Sequence, residues 1–420
     1  MKSKIIAGIE LGSSKIATLI AQVAADPVTF ESTINIIGAA TSASRGIRKG
    51  QIVDIEEAVE ATIASVEAAE RMSGYNLSSC FVAVSGAHVH SQNSHGVVAV
   101  SDPEGEISPE DVNRVIEAAS AVSLPQSREV VHVLPREFIV DGESGVKDPI
   151  GMTGVRLEVE THMITAAAAS IKNLKKALNE VGVEVEGLVF SGLAASEAVL
   201  SSTEKELGCV LIDIGAGTTS VAVFSDGALC SSFVFPIGAM NVTNDLAIGL
   251  RISIETAEKI KLALSKKTKS EENEKEIDLS TFGSTDVKNI SKKTLIEGII
   301  KPRLNEIFTY VRIELEKQGY LNKVPSGAVL TGGGAEIVGV TETAKRMLSL
   351  PIRIGKPSGV GGLIDDVINP AFATTMGLII YGSKTQVLDN NSLTTLKSRI
   401  KLPSSGILGK LIDTVKDLLP

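Results

Sequence analysis

One short pattern occurs twice, close to half the chain apart. Ile9-Glu10-Leu11-Gly12-Ser13-Ser14-Lys15-Ile16-Ala17 and Ile212-Asp213-Ile214-Gly215-Ala216-Gly217-Thr218-Thr219-Ser220-Val221-Ala222 each read as an apolar strand, an acid, a small-residue turn and a returning strand. A repeat at that spacing in 420 residues predicts two similar domains facing each other. Strand and helix signals alternate through most of the remaining chain, which makes the fold class α/β.

The other elements fit this frame. Asp54 reads as the cap of a helix running through Met72, with Gly74 as its stop, and Cys80 to Ser85 as a strand. Ser170 reads as the cap of a helix ending at Val181. Residues 85–163 differ in texture: short strands, a helix opened by Ser108-Pro109-Glu110-Asp111, then strands near Glu129 to Val140 and Val155 to Thr165. This predicts a small inserted α+β domain. The expected division is 1–84, 164–200 and 358–385 for the first domain, 85–163 for the insertion, and 201–357 for the second domain, with an outer part near 245–325. Lys266 to Glu276 reads as a solvated loop, and 386–405, poor in apolar residues, as a flexible linker before a terminal helix at 406–420.

Composition excludes several classes. The net charge is −9, Trp is absent and aromatics are 3%, so neither a phosphate backbone nor stacked bases are expected partners. Cys80, Cys209 and Cys230 are odd in number and widely spaced, which suggests no disulfide framework or zinc site but a reducing cytosol. No stretch reaches 18 apolar residues, so no membrane span is expected. His88, His90 and His95 alternate along a strand and lack partners for a metal site. Gly215-Ala216-Gly217 lacks the third glycine and the following helix of a dinucleotide fingerprint. Gly334 and Gly339 have P-loop spacing, but Val340 stands where Lys is needed.

A strand–glycine–strand hairpin is a different phosphate device. Glycines let backbone N–H groups approach phosphate oxygens, and small hydroxyls add donors. Two hairpins could hold a triphosphate between them, with Glu10 and Asp213 beside it, an arrangement that makes sense with Mg²⁺. Val329-Leu330-Thr331 runs into Gly332, Gly333, Gly334 and Ala335, a bed for a nucleoside or phosphate. The helix from Ser253 to Leu264 places Glu258 and Lys261 on one face.

In this order, the two hairpins, Thr256-Ala257-Glu258-Lys259-Ile260-Lys261 and Thr331 to Ala335 resemble the actin, chaperone-ATPase and sugar-kinase superfamily, and most closely the bacterial cell-division FtsA family. Ile36-Ile37-Gly38, Ser44-Arg45-Gly46-Ile47, Gly50, Ser191 to Ser196 and Arg353-Ile354-Gly355 extend the likeness over nearly the whole chain, and the unit at 85–163 sits where that family carries its insertion. The resemblance implies ATP and Mg²⁺ as cofactors. Gly12, Ser13, Ser14 and Lys15 would meet the β/γ-phosphates. Asp213, Gly215, Gly217, Thr218 and Thr219 would form the second phosphate loop, with Glu10 and Asp213 acting on the metal through its water shell. Glu258 and Lys261 would meet the nucleoside, and Gly332 to Ala335 the adenosine. Glu10 stands where the wider superfamily has Asp.

The segment Gly406 to Pro420 places Ile407, Leu408, Leu411, Ile412, Val415, Leu418 and Leu419 at helical spacing, with Lys410, Asp413, Lys416 and Asp417 opposite. It is too short to cross a bilayer but long enough to lie in its surface. By resemblance the protein is a scaffold and at most a weak ATPase. It would polymerise on the cytoplasmic face of the membrane as a peripheral protein, bind the C-terminal tail of FtsZ and so tether the FtsZ ring, and recruit later division proteins. FtsZ would dock on the helix from Thr294 to Glu316, around Pro302, Arg303 and Glu306. A small-molecule kinase of the same superfamily, or an actin-like scaffold for cell shape or pilus assembly, are the alternatives.

Overall fold

The computed structural model describes residues 3–25, 32–102, 104–266, 276–282, 289–363 and 367–385. Two sheets share one strand order. In the first, Ser32–Ala43, Lys15–Ala25, Ser3–Leu11, Ser79–Val84 and Glu184–Phe190 lie side by side, with the two-residue strand Gly361–Gly362 added at one edge. In the second the order is Ala228–Phe235, Thr219–Ser225, Cys209–Ile214, Ala328–Thr331 and Ile352–Ile354. In both, three consecutive strands run antiparallel and the last two join in parallel.

Both faces of the first sheet are covered, which is why its opening strand is a nearly unbroken apolar run. Ile9, Ile16 and Ile20 pack under Ala58, Ala61, Val66 and Ala69 of the helix Ile55–Ser73. Asp54 caps that helix by accepting from Glu57 N, and Gly74 ends it at φ 73°, as the sequence predicts. On the other face, Ile6 and Leu19 join a core that holds Phe190, Leu193, Met376 and Ile379 together with Leu211, Phe224 and Val329 of the second sheet. The two halves therefore share one core. A further core belongs to the second half alone and is centred on Ile212, Val242, Phe308 and Val311.

Two helices lie in the shared core, Ser191–Val199 and the helix over 373–385. They cross at Gly377, where a Cβ would come within 1.7 Å of the Ala194 carbonyl oxygen. Only glycine permits that approach.

The inserted unit is a four-stranded antiparallel sheet, ordered His90–Ala99, Arg156–Ala167, Arg128–Val140 and Glu143–Val146, with the helix Pro109–Ser120 on one face. Ser108 and Asp111 form a reciprocal cap at that helix's start. The helix assigned a cap at Ser170 begins instead at Ala168, because the strand ending at Ala167 runs straight into it with no side-chain cap. The helix expected from Thr294 to Glu316 is interrupted. A π turn spans Ile296–Ile300 and the α-helix resumes at Lys301–Lys317. Pro302 has no N–H to donate, and its ring crowds the carbonyl four residues back, so the turn before it widens.

Most of the charged run 266–276, most of the linker expected at 386–405 and the terminal segment 406–420 lie outside the described residues. No helix among the described residues is long and apolar enough to cross a membrane.

Candidate functional site

The two hairpin turns are built alike. Glu10 and Asp213 are each the penultimate residue of their strand. Gly12 N donates to Lys15 O at 3.0 Å, and Gly215 N to Thr218 O at 2.8 Å. The turns meet tip to tip: a Cβ at Gly217 would come within 2.6 Å of Ser13 Oγ. Gly50 N also donates to Ser13 Oγ, at 3.2 Å, and the Ser85 hydroxyl lies 3.3 Å from that of Thr218. The amides of Ser13, Ser14, Ala216 and Gly217 have no acceptor among the described residues, so they stand as free donors at the turn tips.

Around them is a cavity of about 790 Å³, within the roughly 300–1,000 Å³ of small-molecule sites. Its walls bring together Glu10, Gly12, Ser13, Ser14 and Lys15 from one half with Asp213, Gly215, Gly217, Thr218, Glu258, Lys261, Gly332, Gly333 and Gly334 from the other. Thr219 and Ala335 are not in that wall. Both are fully buried, and the Thr219 hydroxyl donates to Ile237 O at 2.8 Å. The turn geometry explains the difference. Thr218, not Thr219, is the counterpart of Lys15, and the next residue points behind the sheet.

The deep end of the cavity is acidic. Burial raises the Glu10 carboxyl above its usual range, against the pull of Lys15 and the Thr375 hydroxyl. Asp213 is pushed up to about 7, first by burial and then by Glu10. Lys15 is lowered by burial although Glu10, Asp213 and Glu336 oppose this, and its Nζ sits 3.5 Å from the centre of the Phe372 ring. A polyanion placed there would face these carboxylates with one lysine between, a repulsive arrangement unless a cation accompanies it.

At the other end, the Glu258 carboxylate accepts from Lys261 Nζ at 2.7 Å and from Thr243 Oγ1 at 2.5 Å. The Lys261 side chain is only 7% exposed against 38% for Glu258. Lys261 therefore orients Glu258, and Glu258 faces the cavity. Ile254 and Leu262 line it on the same helix face. Their spacing of four on either side of Glu258 was readable as a shared face. Thr243, Thr374, Thr375 and Phe372 have no comparable signal, because they reach the site only through tertiary packing.

Pro302, Arg303 and Glu306 are not in the wall of this cavity. Arg303 is held by both oxygens of Asp245, at 2.6 and 2.8 Å, and by Glu306. Of the histidines, His95 Nε2 pairs with Glu158 at 2.8 Å and His88 lines the cavity. Among the described residues no group of three or more His, Cys, Asp or Glu side chains could hold a metal.

Two domain families match the sequence: the SHS2 domain inserted in FtsA over residues 86–165, and Cell division protein FtsA over residues 210–377. Cell division protein FtsA of Pseudomonas aeruginosa is 38% identical over 387 residues, covering 91% of this chain and 90% of its own. That of Borreliella burgdorferi is 39% identical over 403 residues, covering 96% of each. The chain belongs to the FtsA family. It is an actin-like cell-division protein, and the unit between the first sheet's fourth strand and its fifth is the FtsA family's own insertion. The FtsA reading of the sequence is thus borne out, and with it the actin-like α/β fold carrying that insertion. Solved structures share the fold: the PilM–PilN type IV pilus biogenesis complex at TM-score 0.64, with 16% identity over 90% of this chain and 98% of that one. MreB 5 of Spiroplasma citri bound to AMPPNP gives 0.54, with 15% identity over 93% and 100%.

Proposed function

We propose that this FtsA-family chain binds ATP in the cavity between its halves. Bound there, it would polymerise on the cytoplasmic face of the membrane, tether the FtsZ ring and recruit later division proteins. The observation that carries the reading is the meeting of the two Gly turns, which presents free amides from both halves to one place. The nucleoside would lie toward Glu258, Ile254 and Leu262, on the glycine bed of 332–334. The fold relative solved with AMPPNP supports a nucleotide in this architecture.

The residues present fit Mg²⁺ as well. Mg²⁺ is commonly held by one or two carboxylates together with substrate phosphates, and Glu10 and Asp213 supply that pair. When bound it would neutralise charge that Lys15 alone cannot. The groups of the site then have separate tasks: the backbone amides of the turns would bind phosphate oxygens, Lys261 orients Glu258, and Phe372 keeps Lys15 over the cleft.

A ligand touching both halves favours the state in which they are closed, and contacts between copies that do not close on themselves give filaments. The segment 406–420 would lie in the membrane surface through its seven apolar side chains. One such segment would bind reversibly, and many in a filament would bind firmly through effective concentration. FtsZ's tail would dock near Pro302, Arg303 and Glu306, meeting Arg303 as one member of an ion cluster with Asp245.

Calorimetry with ATP and MgCl₂, paired with flotation of full-length and 1–405 protein on anionic vesicles, tests this. The expected result is ATP binding by both proteins and ATP-enhanced flotation of the full-length chain only. Absence of ATP binding by folded protein removes the nucleotide role. Equal flotation of both removes the membrane role of the last fifteen residues.

A further inference from the structure

One segment, residues 369–375, touches every arm of the deep cleft. Gly332 N donates to Pro370 O at 3.0 Å, and Asn369 Nδ2 lies 3.3 Å from the Glu336 carboxylate. Phe372 lies under Lys15. Thr374 Oγ1 donates to Asp213 Oδ2 at 2.9 Å and Thr375 Oγ1 to Glu10 Oε2 at 2.8 Å. Both threonines are buried, at 3% and 0% exposure.

A helical threonine hydroxyl has a ready acceptor in a carbonyl three or four residues back. Neither of these two takes it. Successive helix positions point roughly 100° apart. One helix can therefore hold an acid from each half of the molecule with two neighbouring residues.

Each carboxylate is fixed by one oxygen, and the other is left in a defined place. Asp213 Oδ1 lies against the bare Cα of Gly332, where a Cβ would come within 2.3 Å. Glu10 Oε1 faces the Gly12 turn, 3.9 Å from where a Cβ would stand.

We propose that Thr374 and Thr375 are positioning residues that present the free oxygens of Glu10 and Asp213 to a metal arriving with the nucleotide, so that helix 373–385 is the crosspiece through which that metal ties the two halves. The proposal rests on the reading of the cleft as a site for ATP and Mg²⁺. It explains why two hydroxyls from one helix, and not separate supports within each half, hold the paired acids.

The test uses full-length Thr374→Val and Thr375→Val, which keep side-chain shape and remove the donor, and Thr374→Ser and Thr375→Ser, which keep the donor. ATP affinity is measured by calorimetry in excess MgCl₂ and again in EDTA, with thermal melts to confirm folding. Losing a residue that orients a metal ligand typically costs about 10- to 100-fold in metal affinity. The valine variants should therefore lose about tenfold or more of the gain that Mg²⁺ gives, with affinity in EDTA unchanged to within about twofold, and the serine variants should regain most of that loss.

Valine variants with the wild-type Mg²⁺ gain overturn the proposal. So do valine variants that weaken ATP equally in both buffers, which would show a merely structural role. Should a valine variant not fold, the alanine variant at the same position is read by the same ratio. Wild-type protein that binds no ATP in either buffer instead overturns the cleft reading itself.

Discussion

The two halves are one sheet plan decorated in different places. In the first half the third and fourth strands are joined by one helix, Ile55–Ser73, and the inserted unit follows the fourth strand. In the second half the large addition lies between the third and fourth strands and holds the helices Ala239–Leu250, Ile254–Ser265 and Lys301–Lys317. The hairpins are the regions left alike. A turn that must meet its counterpart tip to tip tolerates little change, while a connection facing solvent can grow. The duplication thus marks the proposed site, and of the two additions the inserted unit is the one that matches a domain particular to the FtsA family.

The largest expected effects come from breaking one core at a time. Phe190 sits in the core shared by both halves and Phe308 in the core of the second half alone; both are fully buried. Each change to alanine should cost roughly 3–5 kcal/mol. Calorimetric melting should show Phe190→Ala lowering the whole transition and Phe308→Ala splitting off an earlier one. A single shifted transition for both would mean that the second half has no independence.

The carboxylates give the next contrast. Asp213 stands at about 7 in the folded chain against an ordinary 3.8. The folded state therefore holds a proton that the unfolded state has released, and ligand-free stability falls as pH rises from about 4 through 7. Asp213→Asn should remove that slope. It should be more stable than wild type at pH 8 by a few kcal/mol, on the order of the linkage expected for such a group, with the difference fading toward pH 4. Melts of ligand-free protein across that range decide it.

The seam between the inserted unit and the second half has the opposite sign. His162 lies between Asn93 Oδ1 at 2.7 Å and Ser232 Oγ at 2.9 Å, and burial, with Arg136 and His132 nearby, lowers it to about 4. A neutral imidazole suits those two partners. Its contribution is present above about 6.5 and is lost as pH falls toward 4. His162→Gln should flatten the acid limb of the stability curve by about 2 kcal/mol, read by urea melts at pH 7 and 4.5. The smallest effect belongs to the exposed Arg71–Glu67 pair at 3.3 Å. Arg71→Ala should change stability by less than about 0.5 kcal/mol, and a larger loss would show that this helix surface is engaged elsewhere.

The legible parts of the chain were those fixed by local chemistry. The Gly12 and Gly215 turns, the Asp54 and Gly74 caps and the Ser108–Asp111 box depend on residues a few positions apart, so they could be read directly. The π turn before Pro302 was missed because proline signals strain without saying whether a helix breaks or widens. The family resemblance places Thr219 and Ala335 at the site, but both are buried outside the cavity wall, and the alternation of strand faces turns Thr219 behind it.

The sequence alone determined that two acid-bearing hairpins exist and that their domains are related, because a strand, an acid and a glycine turn form a contiguous signal. Only the tertiary structure decided that the two turns touch, that Lys261 serves Glu258 from within the protein, and that Thr374 and Thr375 hold one acid from each half. The threonine–acid contacts join residues 161 and 365 positions apart, and only the packing of two sheets around shared helices brings them within hydrogen-bond reach; Lys261 and Glu258 are one helical turn apart, and packing decides which of the two is buried.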